Sequence, residues 1–142
     1  MTATLKPSPG AREAKLLGIG TYRPSRVVPN SEIVEAIDSS DEWIQQRSGI
    51  KERRFAGPDE SIQMMSVAAS RQAMERAGIE AAQVDCVIVA TVSHMLQTPA
   101  IATAIAHELG TDKAPAFDIS AACAGFCHGL ALGSDIDRKS VV

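Results

Sequence analysis

One cysteine stands where a chain that alternates strands and helices could do covalent chemistry. The stretch Phe117-Asp118-Ile119-Ser120-Ala121-Ala122-Cys123-Ala124-Gly125-Phe126 runs from apolar residues into small ones, as a short strand does when it turns into a helix. Such junctions, at strand C-termini, are where open α/β sheets bind ligands. A cysteine in the first turn of a helix meets free backbone N–H groups and the positive end of the helix dipole. Both favour the thiolate, the form that attacks a thioester carbonyl. Ala121, Ala122, Ala124 and Gly125 leave room for a substrate to approach Cys123. The same residues also suit a small buried cysteine that only packs, and the local pattern leaves both readings open.

A second pair with chemical potential is Trp43 and Arg47, four residues apart and so on one face of a helix. An indole can stack on a purine, and a guanidinium suits phosphate. Equally, Trp43 could cap a core while Arg47 is solvated. Arg53 and Arg54 read as a small basic patch or a solvated face. Cys123, Cys127 and His128 follow the order Cys-x-x-x-Cys-His, which is one residue too long for haem attachment and has no second pair to complete a zinc site. Packing is the simpler role for Cys127. His94 reads as a loop residue and His107 as a helix surface residue.

The elements that would carry these residues follow from punctuation and periodicity. Residues 15–22, with Leu16, Leu17 and Ile19, predict a buried strand before a turn at Pro24. Asn30 is placed to cap a helix through Ile37. Ser39 and Glu42 have capping-box spacing for a second helix through about Arg47, which Gly49 ends. Residues 61–77 carry Ile62, Met65, Ala69, Ala73 and Ala77 on one stripe, with Gly78 as a stop. Residues 84–91 carry the continuous apolar run Val87, Ile88, Val89 and Ala90, as expected of a parallel strand covered on both faces. Thr98-Pro99 reads as an N-cap with proline at the first helical position, opening a helix that Gly110 closes. Residues 116–119 are a further strand, and a helix begins at Ala122. Alternating strands and helices predict an α/β fold with a mostly parallel sheet.

Composition narrows the class. The chain has 142 residues, 45% of them hydrophobic, enough for one domain with a core. A net charge of −3 gives no electrostatic reason to expect nucleic acid or an anionic membrane as partner. Three cysteines make no even disulfide framework and suit a reducing compartment. No apolar run approaches the roughly 20 residues of a membrane-spanning helix, and the start of the chain has no signal-peptide pattern. The expected location is cytoplasmic. Residues 1–14, with Pro7, Pro9 and Gly10, read as a mobile tail, and residues 15–136 as one incomplete domain. Residues 137–142 (Asp137-Arg138-Lys139-Ser140-Val141-Val142) abandon the apolar periodicity and correspond to one reading frame of a common sequencing adapter, so they are expected to be a non-native tail.

Several separated motifs carry a resemblance. Ala121-Ala122-Cys123-Ala124-Gly125-Phe126, preceded by Ala116-Phe117-Asp118, resembles the active-site motif of the ketoacyl-ACP synthase III family. Ser39-Ser40-Asp41-Glu42-Trp43-Ile44, then Arg47, Gly49-Ile50 and Glu52-Arg53, resembles a second signature. Ala77-Gly78-Ile79, Val84-Asp85 and residues 87–91 also fit, so that the match spans residues 16–130. The resemblance implies the N-terminal half of a thiolase-like fold, with Cys123 as acyl carrier and its backbone N–H in the oxyanion hole. It implies that Ser39, Trp43 and Arg47 meet coenzyme A, which enters as part of the acyl-CoA substrate with no permanently bound cofactor. Thr98 and Phe126 are implied as substrate-pocket residues. Some relatives carry a bulky aromatic where Thr98 stands, so the small threonine predicts primers longer than acetyl. The implied partners are acyl-CoA, malonyl-acyl carrier protein, drawn by the basic patch at Arg53 and Arg54, and a second copy in a homodimer. The implied activity is condensation of an acyl primer with malonyl-acyl carrier protein, initiating fatty-acid synthesis. The family's catalytic histidine and asparagine lie in its second half, and none of His94, His107 or His128 matches them, so this stretch alone is expected to be inactive. A polyketide starter synthase, or a remnant that binds coenzyme A or carrier protein without turnover, are the alternatives.

Overall fold

The computed structural model describes residues 14–111 and 113–136. The tails expected over residues 1–14 (except Ala14) and 137–142 lie outside these. At the centre are two parallel strands, β3 (Val87–Ala90) and β4 (Ala116–Ile119), paired Val87↔Ala116 through Ala90↔Ile119. Side chains alternate between the faces of a strand. A Cβ added at Gly125 would lie 3.1 Å from that of Ala90, and one at Gly129 would lie 3.7 Å from Ile119 Cδ1. Ile88, Ala90 and Ile119 therefore face helix α4 (Gly125–Ile136), and Val89 and Asp118 face the other way, towards α3 (Ile101–Leu109). The sheet is covered on both faces, as its apolar run requires. Helix α2 (Ile62–Ala77) packs on α3, and Val67, Ala102, Ile105 and Ala106 are the buried apolar residues of that layer. The α/β class and both parallel strands agree with the sequence reading.

Helix ends follow local chemistry. Ser61 Oγ accepts from the Met64 N–H to start α2, and Gly78, at φ 67°, ends it. Helix α1 (Asp41–Ser48) starts one residue later than the sequence predicts: its cap is Ser40, whose Oγ accepts from the Trp43 N–H, rather than Ser39. Gly49, at φ 71°, ends it as expected. Thr98 is not the cap of α3. Ala100 precedes the first turn, and the free N–H groups of Ile101 and Ala102 are taken by the Asp118 carboxylate from the neighbouring strand, each at 2.9 Å.

The predicted helix from Asn30 to Ile37 is also replaced. Residues Asn30–Glu32 form a single 3-10 turn, and Asn30 is a buried hub rather than a cap. Its amide nitrogen donates to Asp41 Oδ1 and to the Ile50 carbonyl, both at 2.7 Å, while its oxygen accepts from Arg53 at 2.6 Å. A side chain occupied in this way cannot turn back on its own helix start. The hub joins α1 to an antiparallel pair that the sequence reading missed, β1 (Arg26–Pro29) with β2 (Glu52–Phe55). Arg53 and Arg54 are adjacent in β2, so they point to opposite faces and make no single basic patch. Arg53 is committed to Asn30, and Arg54 donates to the Ser25 carbonyl.

Residues 15–22 run alongside α2 without becoming a strand. A strand is defined by a neighbour's hydrogen bonds, and among the described residues none lies beside this segment. Arg76 donates to the Ile19 carbonyl at 2.6 Å, and Gln72 accepts from the Thr21 N–H at 2.9 Å. Gly18 and Gly20 are required here: a Cβ at either would collide with the backbone oxygen of Ala73 or Ala69. Glu60 fastens the end of the segment by accepting from the Tyr22 hydroxyl and from the Gly57 and Ser25 N–H groups.

Candidate active site

Because β3 and β4 are parallel, their C-terminal ends lie on the same edge, where the Thr91 N–H donates to the Ile119 carbonyl. Two segments leave from this edge. One is the loop of residues 91–100, which carries Thr98; the other is the turn after β4, which carries Cys123. Cys123 is in a 3-10 turn, Ala122–Ala124, immediately before α4, rather than in the first α-helical turn. Ala122, just before it, has φ 44°, a left-handed conformation that a residue with a Cβ adopts at a cost. The turn points the cysteine outwards, and Cys123 is exposed. Small residues make the turn fit: Gly125 is buried against Ala90, where a larger residue would push α4 away.

Beside the turn, Ile88, Ala90, Gly125, Phe126, Gly129 and Leu130 line a mostly apolar cavity of about 250 Å³. Phe126 is 71% exposed, so its ring borders the cavity from the open side. Thr98 is exposed on the neighbouring loop together with Val92, Met95 and Leu96. This edge thus combines a thiol with apolar surface, which suits an acyl chain delivered as a thioester.

A second site lies at the start of α1. Ile37, Asp38, Ser39, Ser40 and Trp43 line a groove of about 440 Å³. Trp43 is 56% exposed, so it does not cap the core. The Arg47 guanidinium stacks 5.6 Å from its ring centroid, one turn along the helix. An exposed indole beside a guanidinium offers one surface to a purine and a charge to phosphate. The Gln45 and Asn30 amides, which donate to Asp41, hold its carboxyl below the usual value and fix the first turn of α1.

The structure therefore brings Ser39, Trp43 and Arg47 together, and places Cys123, Phe126 and Thr98 at one sheet edge. Cys127 and His128 follow on α4 and are exposed. Among the described residues no three His, Cys, Asp or Glu side chains come together to hold a metal ion. No helix among them is long and apolar enough to cross a membrane. The sequence reading took Asn30 for a helix cap rather than a buried hub, and gave no role to Asp118's carboxylate. Asp118 carried a signal, since an acidic residue inside an apolar strand needs donors from a neighbouring element.

No family model matches the chain. Over 128 residues it is 62% identical to beta-ketoacyl-[acyl-carrier-protein] synthase III 1 of Streptomyces coelicolor, a match that covers 90% of this chain and 37% of that protein. The chain thus spans little more than a third of the length of this relative. Among solved structures it is similar to the priming beta-ketosynthase of the R1128 polyketide biosynthetic pathway, with a TM-score of 0.81 and 52% identity over 89% of this chain and 40% of that one. It is also similar to 3-oxoacyl-[acyl-carrier-protein] synthase III from Aquifex aeolicus, with a TM-score of 0.81 and 37% identity over 89% of this chain and 41% of that one.

Proposed function

We propose, for a chain that belongs to the beta-ketoacyl-[acyl-carrier-protein] synthase III family, that it supplies the acyl-accepting part of a decarboxylating condensing enzyme. The observation that carries this reading is an exposed cysteine on a strained turn at the C-terminal edge of a parallel sheet, beside an apolar cavity. In the first step the Cys123 thiolate attacks the carbonyl carbon of an acyl-CoA thioester. The bond from that carbon to the coenzyme A sulfur breaks, coenzyme A leaves as a thiolate that takes up a proton, and the acyl group stays on Cys123 Sγ. The Cys123 N–H, in the turn just before α4, is the donor for the negative oxygen that develops. Ser39, Trp43 and Arg47 hold the nucleotide end of coenzyme A, while Phe126 and the loop carrying Thr98 bound the acyl chain.

In the second step malonyl-acyl carrier protein loses carbon dioxide. The resulting carbanion attacks the acyl carbonyl, and the bond to Cys123 Sγ breaks, which frees the thiolate. The histidine and asparagine that the family resemblance assigns to this step have no counterparts in the matched motifs. The working unit is a soluble homodimer, cytoplasmic, with no permanently bound cofactor.

A second reading, priming of a polyketide chain, is favoured by the 52% identity to the R1128 priming ketosynthase and uses the same first step with a different primer. The test is release of carbon dioxide from malonyl-acyl carrier protein by the protein that carries this sequence, with acyl-CoA primers of increasing length. Primer-dependent release that Cys123→Ser abolishes, with longer primers preferred to acetyl, is the expected result. Coenzyme A binding without acyl transfer would instead identify a binding remnant, and strict acetyl preference would remove Thr98 from the selectivity argument.

A further inference from the structure

Asp118 sits on β4, five residues before Cys123, and its side chain serves a different element. Oδ2 accepts from the Ile101 N–H and Oδ1 from the Ala102 N–H, each at 2.9 Å, so both carboxylate oxygens are used at the first turn of α3. Nothing on α3's own side of the chain replaces them, because Ala100 has no side-chain acceptor. The loop of residues 91–100 is thereby fixed at both ends to the strands that lead to the cysteine. At its start the Thr91 N–H donates to the Ile119 carbonyl; at its end Asp118 holds α3. Between these anchors the loop exposes Val92, Met95 and Leu96, the apolar surface that leaves the sheet at the same edge as Cys123.

We infer that Asp118 is a positioning residue that sets the acyl-chain-length selectivity of Cys123, by holding the loop of residues 91–100 in register with the nucleophile turn. This rests on the acyl-transfer reading above. The carboxylate does not touch the acyl group. It ties the surface that measures the chain to the strand that delivers the thiol, so loosening the tie changes which chain fits rather than whether the thiol reacts. An apolar pocket distinguishes one methylene by about tenfold or more only while its walls stay in place.

The test compares rates of Cys123 acylation across straight-chain acyl-CoAs, followed by intact mass, in the protein carrying this sequence and in Asp118→Ala, Asp118→Asn and Ile101→Pro. Rate ratios between chain lengths are independent of how much of each variant is folded. Asp118→Asn keeps an acceptor and the side chain's shape. Ile101→Pro cuts the tie from the other partner: it removes the N–H that Asp118 Oδ2 accepts, at a first helical position where proline is tolerated, after an Ala100 whose ψ of 141° already suits a following proline. Expected is a loss of discrimination between neighbouring chain lengths of about fivefold in Asp118→Ala and Ile101→Pro, with most of it retained in Asp118→Asn. Ratios unchanged in Ile101→Pro and in whichever Asp118 variant folds would overturn the inference while leaving the acyl-transfer reading intact. Absence of acylation in the unmodified protein would remove both.

Discussion

At Ala122 the backbone carries strain that the side chain does not explain. A φ of 44° is costly for a residue with a Cβ, and the next residue is the proposed nucleophile. Glycine takes this conformation freely. Ala122→Gly is therefore expected to raise thermal stability by about 1 kcal/mol, since the strain is relieved. The same change should slow Cys123 acylation, because a flexible turn no longer fixes the thiol's direction. Unchanged acylation with raised stability would mean the strain is incidental to the chemistry. The position of the cysteine at a strand-to-helix junction was legible in the sequence, while the local pattern left its role open between chemistry and packing. The strain was not, since a single alanine carries no mark of its φ. Burial pushes the Cys86 thiol up, and Cys86 precedes β3, at the opposite end of that strand from the edge that carries Cys123.

Helix α1 presents the Trp43–Arg47 surface only because other elements hold it. Asn30 is 1% exposed and joins Asp41, the Ile50 carbonyl and Arg53. Asn30→Ala leaves three partners unsatisfied and is expected to cost about 3 kcal/mol, read by denaturant unfolding. The fluorescence of Trp43, the only tryptophan, should shift in the folded variant as α1 loosens. Two carboxylates add an acid dependence. The Gln45 and Asn30 amides hold Asp41 below its usual 3.8, and the Tyr22 hydroxyl and Gly57 N–H hold Glu60 below its usual 4.5. A depressed carboxyl contributes stability that is complete above its ordinary pKa and lost as pH falls through the lower folded-state value. Melting temperature is therefore expected to fall as pH drops from about 5 to about 3, and less steeply in Glu60→Gln. Equal slopes would show that Glu60 contributes nothing to acid stability. Element types for α2, α3, β3 and β4 were legible because apolar periodicity and glycine stops are local signals. The β1–β2 pair was not, because four-residue strands with charged residues have too short a period to read. The Asn30 hub and the Asp118 cap failed to show for another reason, since each depends on partners distant in sequence.

At the scale of the whole molecule, the described residues expose apolar surface that the described elements do not cover. Leu16, Leu17 and Ile19 are each more than half exposed, and α4 turns Phe126, Leu130 and Ile136 to solvent. Among the described residues of α4 only Gly125 is buried. Residues 15–22 read as a strand in sequence because their apolar content suits one, and the missing ladder partner is why that reading failed. Expressed alone, residues 1–142 are expected to self-associate, with light scattering rising with concentration; a monodisperse monomer would show that this surface is tolerated. The segments that carry the proposed nucleophile and the proposed coenzyme A face each stand out in sequence because each is short and continuous. Their relation to one another was not, since it depends on how the segments pack. The most direct measurement is the mass of the protein carrying this sequence after incubation with acyl-CoA, followed by peptide mapping. One acyl group per chain, on Cys123 and absent from Cys123→Ser, is the expected result. A folded protein that binds coenzyme A and gains no acyl mass on Cys123 would contradict the account.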